Sequence, residues 1–249
     1  MADAALGFYP WLRRGLGVGI SRPDTDAADV NPAAKVVVDV QMFRRPVEQD
    51  GETVRLRLPL VGPGDIVGLN TATVIRTFPS HDESDAEFGH FAYVEFDQLD
   101  LPWRYSPGRH VNNRLRPWLA LLVVADTEVT IQSPSATNPL PKATIQPTAL
   151  PKASQAWAWC HVQLNGAELT EAAAIEAAIA ANASRGLGSS RLYSPRFLDK
   201  NTAYTALLVP LYKRGALAGL GDGPPIDAGP AISRTSAAKD KQSLGVCRT

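Results

Sequence analysis

The sequence predicts a β-rich α+β protein: a short-strand antiparallel or mixed sheet, or a sandwich, with a docked N-terminal helix and one alanine-rich helix. Three observations carry this expectation. Apolar and polar residues alternate over several short runs, the period of a strand with one wet face. The 249 residues include 19 glycines and 20 prolines, which favours turns and short elements over long helices. One stretch, "ELTEAAAIEAAIAANAS", has the alanine-rich composition of a strong helix.

Taken in order, Pro10 to about Ile20 predicts a short amphipathic helix. Proline suits a first helical turn, and Trp11, Leu12 and Leu16 can share a face while Arg13 and Arg14 point elsewhere. Gly15, Gly17 and Gly19 weaken it, so docking has to hold it. They also spell G-x-G-x-G, but with no strand before them they do not make a dinucleotide loop.

From Lys35 the period becomes two. "KVVVDVQMF" and "TVRLRLPL" read as strands, and the acidic "EQDGE" between them as a hairpin connection. The glycine-bearing "LVGPGDIVGLN" reads as loop and lacks the Lys-Ser/Thr ending of a phosphate-binding loop. "ATVIRTF", "FAYVEF", "WLALLVV" and "EVTIQ" continue the strands, then five prolines over residues 133–154 mark a surface excursion. "AWAWCHVQL" reads as a strand with Trp157, Trp159 and His161 alternating with Ala158, Cys160 and Val162. The alanine-rich helix is expected near residues 168–184, with Leu169, Ile175 and Ile179 apolar and Gly186 beyond its end, followed by strands in "RLYSPRFL" and "TAYTALLVPLY".

The organisation expected is an N-terminal helix and extended arm over 1–34, a β-rich core over 35–132 and a proline-rich loop or linker over 133–154. A strand–helix–strand segment packed on the core follows over 155–220, and a disordered tail over 221–249.

Hydrophobic residues make up 45% and charged residues 20%, with a formal net charge of zero. That balance is ordinary for a globular chain and lacks the basic excess of a nucleic-acid binder, so no nucleic-acid partner is expected. Cys160 and Cys247 make neither a disulfide framework nor a metal knuckle. The N-terminus has no basic region leading into a long apolar stretch, and no segment reaches the roughly 18 apolar residues of a membrane span. A soluble cytoplasmic protein without a membrane span is the simplest expectation.

The most distinctive stretch is "LDLPWRYSPGRHVNNRLRPWLALLVV", residues 99–124, where two Pro-Trp pairs bracket a basic, turn-rich segment. The residue before a proline is kept out of the helical region, and Trp103 and Trp118 beside those stiff steps can clamp the loop ends to the core. Between them stand Arg104, Arg109, His110, Arg114 and Arg116, with Asn112-Asn113 as turn residues. An anion site would need the guanidinium forks to converge. A scaffold needs only solvated arginines, or pairing with Glu95, Asp97 and Asp100 just upstream. Trp103, Arg104, Arg109, Arg114, Arg116 and Trp118 are accordingly assigned to loop anchoring or protein contact, and no residue to catalysis or to a metal.

"SHDESDAEFGH" contains His81, Glu83 and His90, which a metal-dependent hydrolase could use, but the spacing matches neither H-E-x-x-H nor a twelve-residue calcium loop. Cys160 beside His161 suggests a thiolate nucleophile, yet strand neighbours face opposite sides, so Cys160 reads as a buried structural thiol. No G-x-S-x-G elbow occurs, and no cofactor is called for. A carbohydrate- or ligand-binding β module is the remaining alternative, favoured if Trp157 and Trp159 are exposed.

Taken together and in order, "FYPWLRRGLG", "LVGPGDIVGLN", "VIRTFP", "FAYVEFDQLDLPWRYSP", "RLRPWLALLVV", "WAWCHVQL" and "RLYSPRFLDKNTAYTALLVPLYKRGALAGLG" resemble a bacterial family encoded beside phage-tail-like contractile injection particles. The likeness runs from about Phe8 to Gly221 and is most specific in the Pro-Trp segments and "NTAYTALLVP". It brings no catalytic motif. It implies a non-enzymatic structural or assembly role, with other subunits of a particle or a homo-oligomer as partners. Members of the family continue past "LAGLG" with further aromatic-rich strands, whereas here the chain turns polar, as after a truncation or frameshift.

Overall fold

The structure, a computed structural model, describes residues 6–24, 34–42, 52–66, 68–86, 89–136, 140–165 and 188–221, with Ala177, Ala180 and the pair Cys247–Arg248. In chain order the strands are β1 (Leu6–Tyr9), β2 (Lys35–Met42), β3 (Glu52–Pro59), β4 (Val74–Phe78), β5 (Tyr93–Phe96) and β6 (Leu119–Ala125). They continue with β7 (Val129–Gln132), β8 (Lys142–Ile145), β9 (Cys160–Asn165), β10 (Gly188–Tyr193), β11 (Tyr204–Pro210) and β12 (Cys247–Arg248). One short helix, α1 (Lys213–Gly219), follows β11. The β-rich α+β class expected from the period-two runs is what the chain adopts.

The largest sheet has five strands in the order β1-β9-β10-β5-β4, with every described pair antiparallel. Its inner face carries Val94, Phe96, Cys160, Val162, Leu164 and Leu192, all buried. These pack in one cluster with Leu119, Leu121, Val123 and Ala125 of β6 and with Leu99, Leu101, Trp103, Leu115 and Trp118 of the preceding loop. β6 pairs along its whole length with β11, which places "WLALLVV" at the centre, and Leu122 and Val124 on its other face are buried as well. That double burial is why the run is continuous rather than alternating.

β2 and β3 form a separate two-stranded ribbon. Its register sets Val36 opposite Leu58, Val38 opposite Leu56 and Val40 opposite Val54, so one face is apolar until its end, where Met42 stands opposite Glu52. The other face pairs Asp39 with Arg55 through two hydrogen bonds of 2.8 and 3.1 Å. The base of the apolar face is covered, with Val36 buried, whereas Val40, Met42 and Leu56 are exposed.

Three expectations need correction. The helix expected over Pro10–Ile20 is instead strand β1, an extended link, and a 3-10 turn at Gly15–Gly19. Three glycines do not sustain an α-helix, and β1 gains a ladder with β9. The proline-rich stretch is not loop throughout, since β8 pairs there with β7. "AWAWCHVQL" enters as a 3-10 segment, Ala153–Trp159, and becomes a strand at Cys160. Strand pairing runs between these segments: β1 joins β9, β5 joins β10, and β6 joins β11. The alanine-rich helix near 168–184 lies outside the described residues except for Ala177 and Ala180, both helical. Of the tail over 221–249, residues 222–246 and 249 are likewise outside, and Cys247–Arg248 pairs with Thr205 and Ala206.

Candidate functional site

The two Pro-Trp steps hold the ends of the central loop in the core. Trp103 and Trp118 are 0% and 2% exposed, and Pro102 and Pro117 are fully buried beside them. Trp118 closes the loop on itself: its backbone N–H donates to Pro102 O at 2.8 Å and its indole N–H to Leu101 O at 2.7 Å. Ser106 Oγ adds a bond to Arg116 O at 2.6 Å. The tip is a two-residue hairpin, with Asn112 and Asn113 at φ +51° and +56° and reciprocal Val111–Arg114 backbone bonds of 2.9 Å. Both positive φ values match a type I′ turn, which asparagine tolerates.

The four loop arginines diverge. Arg104 pairs with Asp100 in a two-pronged contact and also reaches Gln98. Arg109 Nε donates to Ser21 O at 2.8 Å. Arg114 lies over the Trp157 ring at 4.1 Å, and Arg116 over the Tyr212 ring at 4.4 Å while its Nη2 donates to Asp24 at 3.2 Å. Burial opposes the charge of Arg104, but Asp100 outweighs it and holds its pKa above the ordinary guanidinium value. Tyr212 and Asp24 do the same for Arg116. Of the acidic residues expected as partners, Asp100 serves the loop, whereas Glu95 pairs with Arg191 at 3.2 Å across the five-stranded sheet.

Two residues that organise this loop lie far from it in sequence. Arg13, expected to point away, is 7% exposed and donates to four carbonyls: Ser106 O at 2.7 Å, Gly108 O at 2.8 Å, Gly17 O at 3.2 Å and Trp103 O at 3.3 Å. Burial lowers its pKa to about 10, with Tyr212, Asp24 and Asp100 pulling the other way, so it remains a cation at neutral pH. Asp24 accepts from Tyr212 Oη at 2.9 Å as well as from Arg116. The backbone around Asp24 bridges to the loop, with Asp24 N donating to Arg109 O at 2.9 Å and Arg109 N to Arg22 O at 2.7 Å. Gly108 is required for that approach, because a Cβ there would lie 2.5 Å from the Asp24 Cα. No local pattern around Arg13 or Asp24 signals these roles; their partners are about ninety residues away.

The other candidate groups are dispersed. His81 is exposed and near Asp82 at 3.4 Å, Glu83 accepts from Ser80 N at 2.6 Å, and His90 sits edge-on to Phe78. Among the described residues no three His, Cys, Asp or Glu side chains gather as a metal centre would require. Cys160 faces the core at 4% exposure, and burial raises its pKa above the ordinary thiol value, the reverse of a reactive thiolate. His161 stands on the opposite face, stacked against Tyr193. Trp157 and Trp159 are half-buried, under Arg114 and against Phe91 respectively.

What this arrangement does chemically is hold chain. The guanidiniums of Arg13, Arg104, Arg109, Arg114 and Arg116 are each spent on a carbonyl, a carboxylate or a ring, and the four loop arginines converge on no common point. No family model, curated protein or solved structure matches the chain. No helix of the described residues is long and apolar enough to cross a membrane.

Proposed function

We propose that the chain is a non-enzymatic structural or assembly component of a phage-derived contractile injection particle, working in the cytoplasm through protein–protein contacts. The observation that carries this reading is the split between a loop whose arginines are all internally partnered and a ribbon whose apolar face is left open. Val40, Met42 and Leu56 on one face of β2–β3 are 38%, 51% and 41% exposed. A two-stranded ribbon gains little stability alone, so an apolar face retained on one is a contact surface for another subunit. The ordered series of segments from Phe8 to Gly221 that resembles the injection-particle family supplies the particular assembly.

The test is co-sedimentation with particles purified from cells that carry the sheath, tube and baseplate subunits. The wild-type chain is expected in the particle pellet. The double variant Val40→Asp, Leu56→Asp is expected in the supernatant with its thermal unfolding midpoint nearly unchanged, because exposed positions contribute little to stability. A wild-type chain absent from the particles, or a double variant that pellets as well as wild type, refutes the reading.

A further inference from the structure

A cleft of about 280 Å³ opens between the β4–β5 end of the large sheet and the β6–β11 pair. Val74 and Thr77 of β4 form one wall, Val94 the floor, and Leu121, Val123 and Leu208 the opposite wall. In a regular strand, residues three apart face opposite sides. Here a bulge lies between Val74 and Arg76, so Val74 stands opposite Phe96 and Thr77 opposite Val94, and both turn inward. Bulges re-aim side chains in this way beside functional sites.

The lining has a definite chemistry. Among the described residues no charged side chain lines the cleft. Its polar groups include the Thr77 hydroxyl, which has no hydrogen-bond partner among the described residues, and the Asn70 carboxamide, whose oxygen is taken by Ala72 N at 2.9 Å. The apolar surface is recessed: among the described residues, none of the large apolar side chains that are exposed, Ile75 included, belongs to the lining. The volume is about twice the ~150 Å³ cavity that accepts benzene. A free carboxylate would be buried there without a partner, at a large desolvation cost.

We propose that this cleft binds a small neutral molecule with an apolar body of about a dozen non-hydrogen atoms and one oxygen that hydrogen-bonds the Thr77 hydroxyl. The site stands apart from the β2–β3 ribbon, so neither proposal depends on the other.

The experiment uses the full chain and 1-naphthylamine, a neutral dye of two fused rings that matches the size of the cleft and whose emission shifts to shorter wavelength in apolar surroundings. Saturable binding at one site is expected, with displacement by 1-decanol at least about tenfold stronger than by decanoate at pH 8. Ala206→Phe, which fills the cleft from β11, is expected to abolish dye binding; if that variant loses cooperative unfolding, Val74→Phe from the opposite wall makes the same test. Thr77→Val, which keeps the shape, is expected to leave dye binding intact and weaken decanol by about three- to tenfold. The proposal fails if the folded chain shows no saturable binding, if the filled variants bind dye as wild type does, or if decanoate competes as well as decanol. It also fails if dye binding weakens as protein concentration rises, the sign that a second copy occupies the cleft.

Discussion

Arg13 sets the stability of the central loop through a single side chain. It donates to carbonyls at residues 17, 103, 106 and 108, and removing it takes a donor from the three buried ones at 103, 106 and 108. Arg13→Met is expected to cost on the order of 3 kcal/mol or more in urea unfolding, and Arg13→Lys to recover only part of this because a lone ammonium cannot span the fork. Glu95 provides a second prediction. Burial pushes its pKa up, but hydrogen bonds from Ser189 and Arg191 and the charges of Arg191 and Arg76 overcome that and hold it below the usual carboxylate value. The contribution is therefore present above the unfolded-state pKa of about 4.3 and lost as pH falls through the lower folded value. Unfolding midpoints should decline on acidification below about pH 4.5, and more gently in Glu95→Gln. The divergent loop arginines were legible as a set in the sequence, but their individual partners were not. Arg13 was misassigned because a helix was expected there, and Asp24 carried no local signal at all.

At the level of elements, the strands were the readable part. "TVRLRLPL" and "KVVVDVQM" alternate because one face of each strand is wet, and the ribbon they form preserves that alternation. The N-terminal helix misled because Trp11, Leu12 and Leu16 fit a helical stripe while the intervening glycines fit none. β8 was hidden by the prolines flanking it. Two backbone positions test these elements. Asn112→Val places a β-branched residue at φ +51°, and it is expected to cost about 1–2 kcal/mol while Asn112→Gly is neutral or stabilising, both read from thermal melts. At Gly188, a Cβ would come within 2.2 Å of Gln163 O and 3.1 Å of Leu164 Cα, both backbone atoms of the neighbouring strand. Gly188→Ala must then spread β9 from β10, with an expected loss of about 2–3 kcal/mol.

Across the whole molecule, the chain closes on itself through Asp24, which accepts from both Arg116 and Tyr212. Tyr212→Phe removes one donor from a carboxylate that is 7% exposed, and a loss of about 1–2 kcal/mol in chemical denaturation is expected. Deleting residues 1–24 removes β1, Arg13 and Asp24 together, and the remainder should lose its sharp, cooperative unfolding transition. Strand pairing is the least legible feature, because composition marks where a chain turns but not which strand it meets; β6 and β11 sit some eighty residues apart and still pair along their full length. The Asp24–Tyr212 bond joins positions 188 residues apart. During translation at about 5–20 residues per second, Asp24 waits roughly 10–40 s for Tyr212 to leave the ribosome. That interval belongs to the nascent polypeptide and not to the finished protein.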